Sequence, residues 1–293
     1  MKKLLFGCLI LFCLLPSGCV KPTPAATATT LPPSPTTLQR FPTPTVTLTP
    51  SPVPIPRDET YQLNGVFFVV PACLDAAPAL TLIDAVLPNP NAGPLMYYPA
   101  HRQVSFTSYP LKDKFFEPLI RVYPVKEFAA MSDISAGRVS RMTELLASQT
   151  WKPGDSIPLL PGYSMMQIFQ AQVKFLDFKN GRGVRWLTEL APYSAPVNNQ
   201  DLFYSYQGMT SDGKYWVSVM LPVNAAYLQD NPESVDVPAA GLAFPSAVST
   251  IRQQELESYY TLMLRMLNNT PDAAFTPALD CLDKLVASIA IGD

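Results

Sequence analysis

Residues 20–56 hold 11 prolines and 10 threonines in 37 positions, with Lys21 and Arg40 as the only charges. Such a stretch lacks the apolar surface that would offset the entropy of ordering it. The sequence therefore predicts an unfolded tether, drawn toward extended polyproline geometry, that reaches on the order of 100 Å at ~3.1 Å per residue. A proline-rich docking ligand is the alternative, although no repeated basic PxxP core is present. Folding is confined to residues 57–293, which show no internal repeat or low-complexity linker and read as one domain.

Ahead of the tether, Lys2 and Lys3 precede a 12-residue apolar run from Leu4 to Leu15. A membrane-crossing helix needs about 20 apolar residues, so residues 1–18 read as a cleaved signal peptide. The segment Leu15-Pro16-Ser17-Gly18-Cys19 resembles a bacterial lipobox, although Pro16 holds the place where that motif prefers Leu. The resemblance implies diacylglyceryl attachment at Cys19, with palmitate-type acyl chains. Cys8 and Cys13 fit less well, because neither follows a full-length apolar run. A simple cleaved signal peptide with a chance cysteine is the competing reading. The expected location is the cell envelope, lipid-anchored and facing outside the cytoplasm.

The whole chain carries 21 basic and 23 acidic side chains. Four of the basic residues (Lys2, Lys3, Lys21, Arg40) and none of the acidic ones precede position 57, so residues 57–293 carry 17 against 23, a net of −6. An acidic domain argues against nucleic acid as a partner and leaves membrane contact to the lipid.

Within the domain, strands are expected at Gly65 to Val70, Val104 to Tyr109 and Pro118 to Val125. Two more, Gln170 to Phe178 and Gly183 to Leu190, flank an Asn180-Gly181 turn. The clearest hairpin covers residues 202–221 and turns at Asp212-Gly213. A two-residue turn there pairs residues whose numbers sum to 425. One face then carries Tyr204, Tyr206, Thr210, Tyr215, Val217, Val219 and Leu221, and reads as core. The other carries Phe203, Ser205, Gln207, Met209, Trp216, Ser218 and Met220, a mixture that is either covered by a helix or open to a ligand. Helices are expected over Glu127 to Leu146, over Ser249 to Leu267 with a Leu256, Tyr260, Met263, Leu267 stripe, and over Pro277 to Ala287. Ser288 to Ile291 reads as a terminal strand. The pattern predicts an α+β fold with a mainly antiparallel sheet and flanking helices.

The stretches VKFLDFKNGRGVRWLTEL (173–190), TSDGKYWVSVMLPV (210–223) and FTPALDCLDKLVASIAI (275–291) resemble a group of uncharacterised bacterial lipoproteins. That group joins a Thr/Pro tether to one α+β domain. The strand order and closing helix also resemble PsbP/Mog1-like folds. Neither resemblance brings a catalytic motif.

Cys73 and Cys281 remain once the signal segment and Cys19 are set aside. An even pair in an exported domain suggests a disulfide, with two buried free thiols as the alternative. The chain contains no G-x-S-x-G, phosphate loop, H-E-x-x-H or C-x-x-C. Its one histidine, His101, could act as a lone base but reads better as a surface or packing residue. Asp230, Glu233 and Asp236 could ligate Ca²⁺ but lack an EF-hand frame, and read as a solvated loop. Trp151, Trp186 and Trp216 could form a ligand platform or, more simply, core. No metal site or cofactor is assigned.

The leading expectation is a lipid-anchored, exported, non-catalytic module that binds a protein or small-molecule ligand or assists envelope assembly. Its expected contact surface is Ser205, Gln207, Trp216 and Ser218. The alternatives are a solute-binding lipoprotein of a transporter and a hydrolase without a recognisable motif.

Overall fold

The computed structural model describes residues 57–89, 97–246 and 251–292. The described residues belong to one compact unit, Pro54–Asp293. The segments read as a signal peptide and a tether, with Cys19, lie outside the described residues.

The elements in chain order are β1 (Glu59–Leu63), β2 (Val66–Val70), β3 (Pro78–Ile83), β4 (His101–Phe106), β5 (Leu119–Pro124), α1 (Val125–Ala129), α2 (Asp133–Ser148), β6 (Met166–Gln167) and β7 (Ala171–Phe178). They continue with β8 (Gly181–Thr188), β9 (Leu190–Ala191), β10 (Phe203–Thr210), β11 (Tyr215–Pro222), β12 (Asn224–Ala225), α3 (Arg252–Asn269), β13 (Phe275–Thr276), α4 (Leu279–Ser288) and β14 (Ala290–Ile291). Seven strands form one antiparallel sheet in the order β3-β4-β5-β11-β10-β8-β7. A smaller antiparallel sheet has the order β1-β2-β14. The fold is α+β and mainly sheet.

The β10–β11 hairpin has the expected register, from Phe203 opposite Pro222 to Met209 opposite Trp216. Its period of two sends Tyr204, Tyr206, Val217, Val219 and Leu221 into a core shared with β2, with Met263 and Leu267 of α3, and with Leu282, Leu285 and Val286 of α4. The opposite face, with Phe203, Met209, Trp216 and Met220, meets Phe128 of α1, Met142 and Leu146 of α2, and Ile157, Leu159 and Leu160. The large sheet is thus covered on both faces, and both central strands are almost wholly buried.

Two local expectations are corrected. The helix expected over Glu127 to Leu146 is broken into α1 and α2. Ser132 sits in extended conformation between them, and its side-chain oxygen accepts the Ser135 N–H at 3.1 Å. An N-cap serine supplies the acceptor that a new helix start needs, and it outweighs helical continuity here. In the β7–β8 hairpin, Phe178 pairs with Gly181, so Lys179 and Asn180 form the turn and Gly181 opens the strand. A side chain at 181 would lie 2.1 Å from the Phe178 ring and 2.3 Å from the Met209 carbonyl, which accounts for glycine inside the sheet. Asn180 instead pairs with the chain's last strand: its Nδ2 donates to the Ile291 carbonyl at 2.7 Å, and its Oδ1 accepts the Ile291 N–H at 3.0 Å.

Cys73, just past β2, and Cys281, in α4, form a disulfide across a sequence separation of 208. Their Cα atoms are 6.1 Å apart, within the usual range for such bridges.

Candidate functional site

Ser205, Gln207, Trp216 and Ser218 lie on one sheet face as expected, but each is at most 1% exposed. They face the interior. The strap that carries Leu159 and Leu160 runs directly over them. Gln207 Oε1 accepts from Trp216 Nε1 at 2.8 Å and from the Leu160 N–H at 3.2 Å. Gln207 Nε2 donates to Ser218 Oγ at 2.8 Å, and Ser218 Oγ donates to the Leu160 carbonyl. The expectation of a ligand-contacting face gives way to a buried polar network that docks a covering segment. Gln207 and Ser218 satisfy backbone groups of that irregular segment, whereas the buried Ser205 Oγ has no hydrogen-bond partner.

The other residues singled out by sequence are dispersed. Trp186 is wholly buried and donates to Gln167 Oε1 at 3.1 Å, whereas Trp151 is part-exposed and donates to the Asp155 carbonyl at 3.0 Å. The three tryptophans do not form a platform. His101 is buried between Tyr98 and Tyr123, with ring centroids at 5.2 and 4.4 Å, and its Nδ1 donates to the Pro99 carbonyl at 3.0 Å. Burial, opposed by that bond and aided by Arg121, holds its imidazole below the ordinary histidine value. Asp230, Glu233 and Asp236 are exposed. Among the described residues, no group of three or more His, Cys, Asp or Glu is arranged to hold a metal.

The concave surface lies elsewhere, where three irregular segments meet. The segment 190–201, the segment 229–245 and the first turns of α3 line adjoining cavities of about 840 and 580 Å³ that share Ala243 and Phe244. Apolar side chains stand open along them. Phe115, Tyr193 and Val235 are 55, 70 and 91% exposed in the larger part, and Ile251 and Leu262 are 57 and 43% exposed in the smaller. Clustered exposure of this kind marks an interaction surface more strongly than scattered single residues do.

Buried polar residues preform the wall. Asn198 Oδ1 accepts the N–H groups of Gln200 and Asp201 at 3.0 and 3.1 Å, and its Nδ2 donates to Asp201 Oδ2 at 2.9 Å. The Asn198 N–H donates to Glu189 Oε1 at 2.7 Å. Tyr259 and Tyr260 of α3 hold the same segment: the Tyr259 hydroxyl accepts the Val197 N–H at 2.9 Å, and the Tyr260 hydroxyl donates to the Ala195 carbonyl at 2.7 Å. Burial pushes the Glu189 carboxyl well above the usual range, the Asn198 N–H pulls it back, and nearby Asp201 raises it further.

The groove's charged lining is chiefly acidic: Asp201, Glu233 and Glu255 against Arg252. Arg252 is already engaged, donating to the Pro245 carbonyl at 2.8 Å and lying 5.5 Å from the Phe244 ring centroid. Glu255 Oε2 is buried and has no hydrogen-bond partner.

No family model, curated protein or solved structure matches the chain. No helix among the described residues is long and apolar enough to cross a membrane. The groove carries no sequence signature. Its walls are Pro- and Asn-containing segments without periodicity, so only the tertiary fold brings Tyr193, Val235 and Glu255 to one surface.

Proposed function

We propose that this protein is an exported, lipid-anchored binding module whose groove holds an apolar segment of a partner protein bearing a lysine or arginine. The observation that carries this reading is Glu255 Oε2, buried without a partner beside an open row of apolar side chains. An unsatisfied buried carboxylate oxygen is costly, and a cationic donor from a ligand would relieve it. Export and anchoring rest on the Lys2-Lys3 start, the apolar run and Cys19, and on the resemblance to tethered bacterial lipoproteins. The Cys73–Cys281 bridge suits an oxidising compartment.

Two alternatives fare less well. A transporter's solute-binding lipoprotein usually has two hinged lobes, whereas the described residues surround one seven-stranded sheet. A carboxylate-based hydrolase needs a pair open to substrate. Glu189 and Asp201 are neighbours, but Glu189 is 2% exposed and both bind Asn198.

The test is thermal unfolding of the full chain against paired peptides, Leu/Phe-rich with one central Lys or with Glu in its place. At 100 times its dissociation constant a binding peptide adds ~2.7 kcal/mol, or about 5–10 °C in Tm. The Lys peptides are expected to shift the midpoint, with the preference lost in Glu255→Gln and the shift lost in Tyr193→Ala. Equal shifts from Lys and Glu peptides, or no shift from either, would overturn the reading.

A further inference from the structure

Next to the groove, with which it shares Met165 and Leu190, α2 and the strap that covers Gln207 line a small cleft of about 120 Å³. A cleft of that size suits a small polar group. Its lining includes Arg138, Arg141, Ser156, Tyr163 and Gln167 and contains no acidic residue. Gln167 is committed, its Nε2 donating to the Ile157 carbonyl at 2.8 Å and its Oε1 accepting from Trp186. The Tyr163 hydroxyl donates to Met220 Sδ at 3.4 Å, so the donors left facing the cleft are the arginines and the Ser156 hydroxyl.

Arg138 and Arg141 are three residues apart on α2, so they share a helix face where like charges repel. Neither forms an ion pair or hydrogen bond among the described residues. Arg138 is half-buried against Gly162, and a side chain at 162 would fall 2.1 Å from its Nη1, so glycine leaves the space the guanidinium occupies. Burial first, and Arg141 second, disfavour the charge of Arg138. A third guanidinium is tied in from behind. Arg121 of β5 donates from Nε to Gln103 Oε1 at 2.7 Å and acts electrostatically on Tyr163, a lining residue, while its own Nη1 is buried without a partner. Concentrated positive charge without counter-charge is notable in a domain that carries a net of −6 from residue 57 onward.

We propose that Arg138 and Arg141, with Ser156 in the same lining, form a binding site for one tetrahedral oxyanion, either free phosphate or the phosphomonoester end of a lipid headgroup. Paired guanidiniums match such an anion through several charge-assisted N–H···O bonds.

The experiment uses the full chain with Cys19→Ser, which removes the lipid, and counts only vesicle contact that depends on the arginines, because the apolar run from Leu4 to Leu15 is common to every variant. Inorganic phosphate is titrated calorimetrically, and the protein is separately floated with phosphatidic acid or phosphatidylcholine vesicles. Arg138→Gln and Arg141→Gln are each expected to weaken binding more than tenfold, and Arg182→Gln, an exposed arginine away from the cleft, to leave it unchanged. Arg141 is exposed, so its variant tests the site even if Arg138→Gln disturbs folding. Arginine-dependent phosphate binding assigns a free-anion site. Arginine-dependent flotation with phosphatidic acid alone assigns the headgroup. Absence of both, or binding equally strong in Arg141→Gln, overturns the proposal.

Discussion

The indole N–H of Trp216 donates to Gln207 Oε1 at 2.8 Å, and both side chains are wholly buried between the sheet and the strap. Gln207 also meets the Leu160 N–H and Ser218. Gln207→Leu keeps the bulk but strands two buried donors, each worth ~1–3 kcal/mol when unsatisfied. Urea unfolding should show a loss of about 2–4 kcal/mol, with the strap's amides exchanging faster. A loss under ~1 kcal/mol would mean that the network does not hold the strap.

Joining Cys73 to Cys281 closes a loop over a sequence separation of 208. The chain-entropy argument gives ~5 kcal/mol for a loop of that size, with measured values often lower. Cys73→Ser/Cys281→Ser should therefore lower Tm by about 10–20 °C. A proteolytic digest made without reductant should contain the linked Cys73–Cys281 peptides. Two alkylatable thiols in the native protein would contradict the bridge.

Glu189 holds a proton in the folded state more tightly than in the unfolded chain, whose ordinary glutamate value is 4.5. The folded form therefore binds more protons above that pH, and stability falls as pH rises through the raised value. Glu189→Gln keeps an acceptor for the Asn198 N–H and has no proton to lose. Melting curves should coincide near pH 4 and separate at pH 7, with the variant more stable by ~1 kcal/mol or more. Parallel pH profiles for the two proteins would contradict this.

His101 carries the opposite sign. Burial favours its neutral form, so the stability it contributes is present above the ordinary value of 6.5 and lost as pH falls below it. As the chain's only histidine, it gives an unambiguous imidazole NMR signal. That signal should titrate with a midpoint below 6.5. A midpoint above 6.5 would contradict the buried, tyrosine-flanked position.

The β10–β11 hairpin was legible because a turn pair and a period of two agree, and together they fix register to the residue. Helices α3 and α4 were legible for similarly local reasons and α2 apart from its start, while the Cys73–Cys281 pairing followed from the two cysteines left over in a domain read as exported. The Asn64-Gly65 turn, with φ of 44° and 74°, is a hairpin signal as strong as Asp212-Gly213. It is masked by a β1 whose residues are mostly exposed. Edge strand β3 is hidden likewise, since half of its residues face solvent. The mixed face around Trp216 could not be resolved from sequence, because its cover is an irregular strap without periodicity. The groove was illegible for the same reason, its residues coming from segments far apart in the chain.

The disulfide also sets how the domain carries a load. Only residues 57–72 lie between the domain's start and the covalent ring closed at Cys73. A pull at Arg57, resisted anywhere between residues 74 and 280, divides at Cys73 into two covalent paths. Peeling β1 and β2 away from β14 can release at most about 55 Å of chain at ~3.4 Å per residue before the tension reaches that bond. The groove, lined by residues between 115 and 262, hangs wholly inside the ring. A partner gripped there stays connected to the chain's first strand even after that strand has been stripped from its sheet.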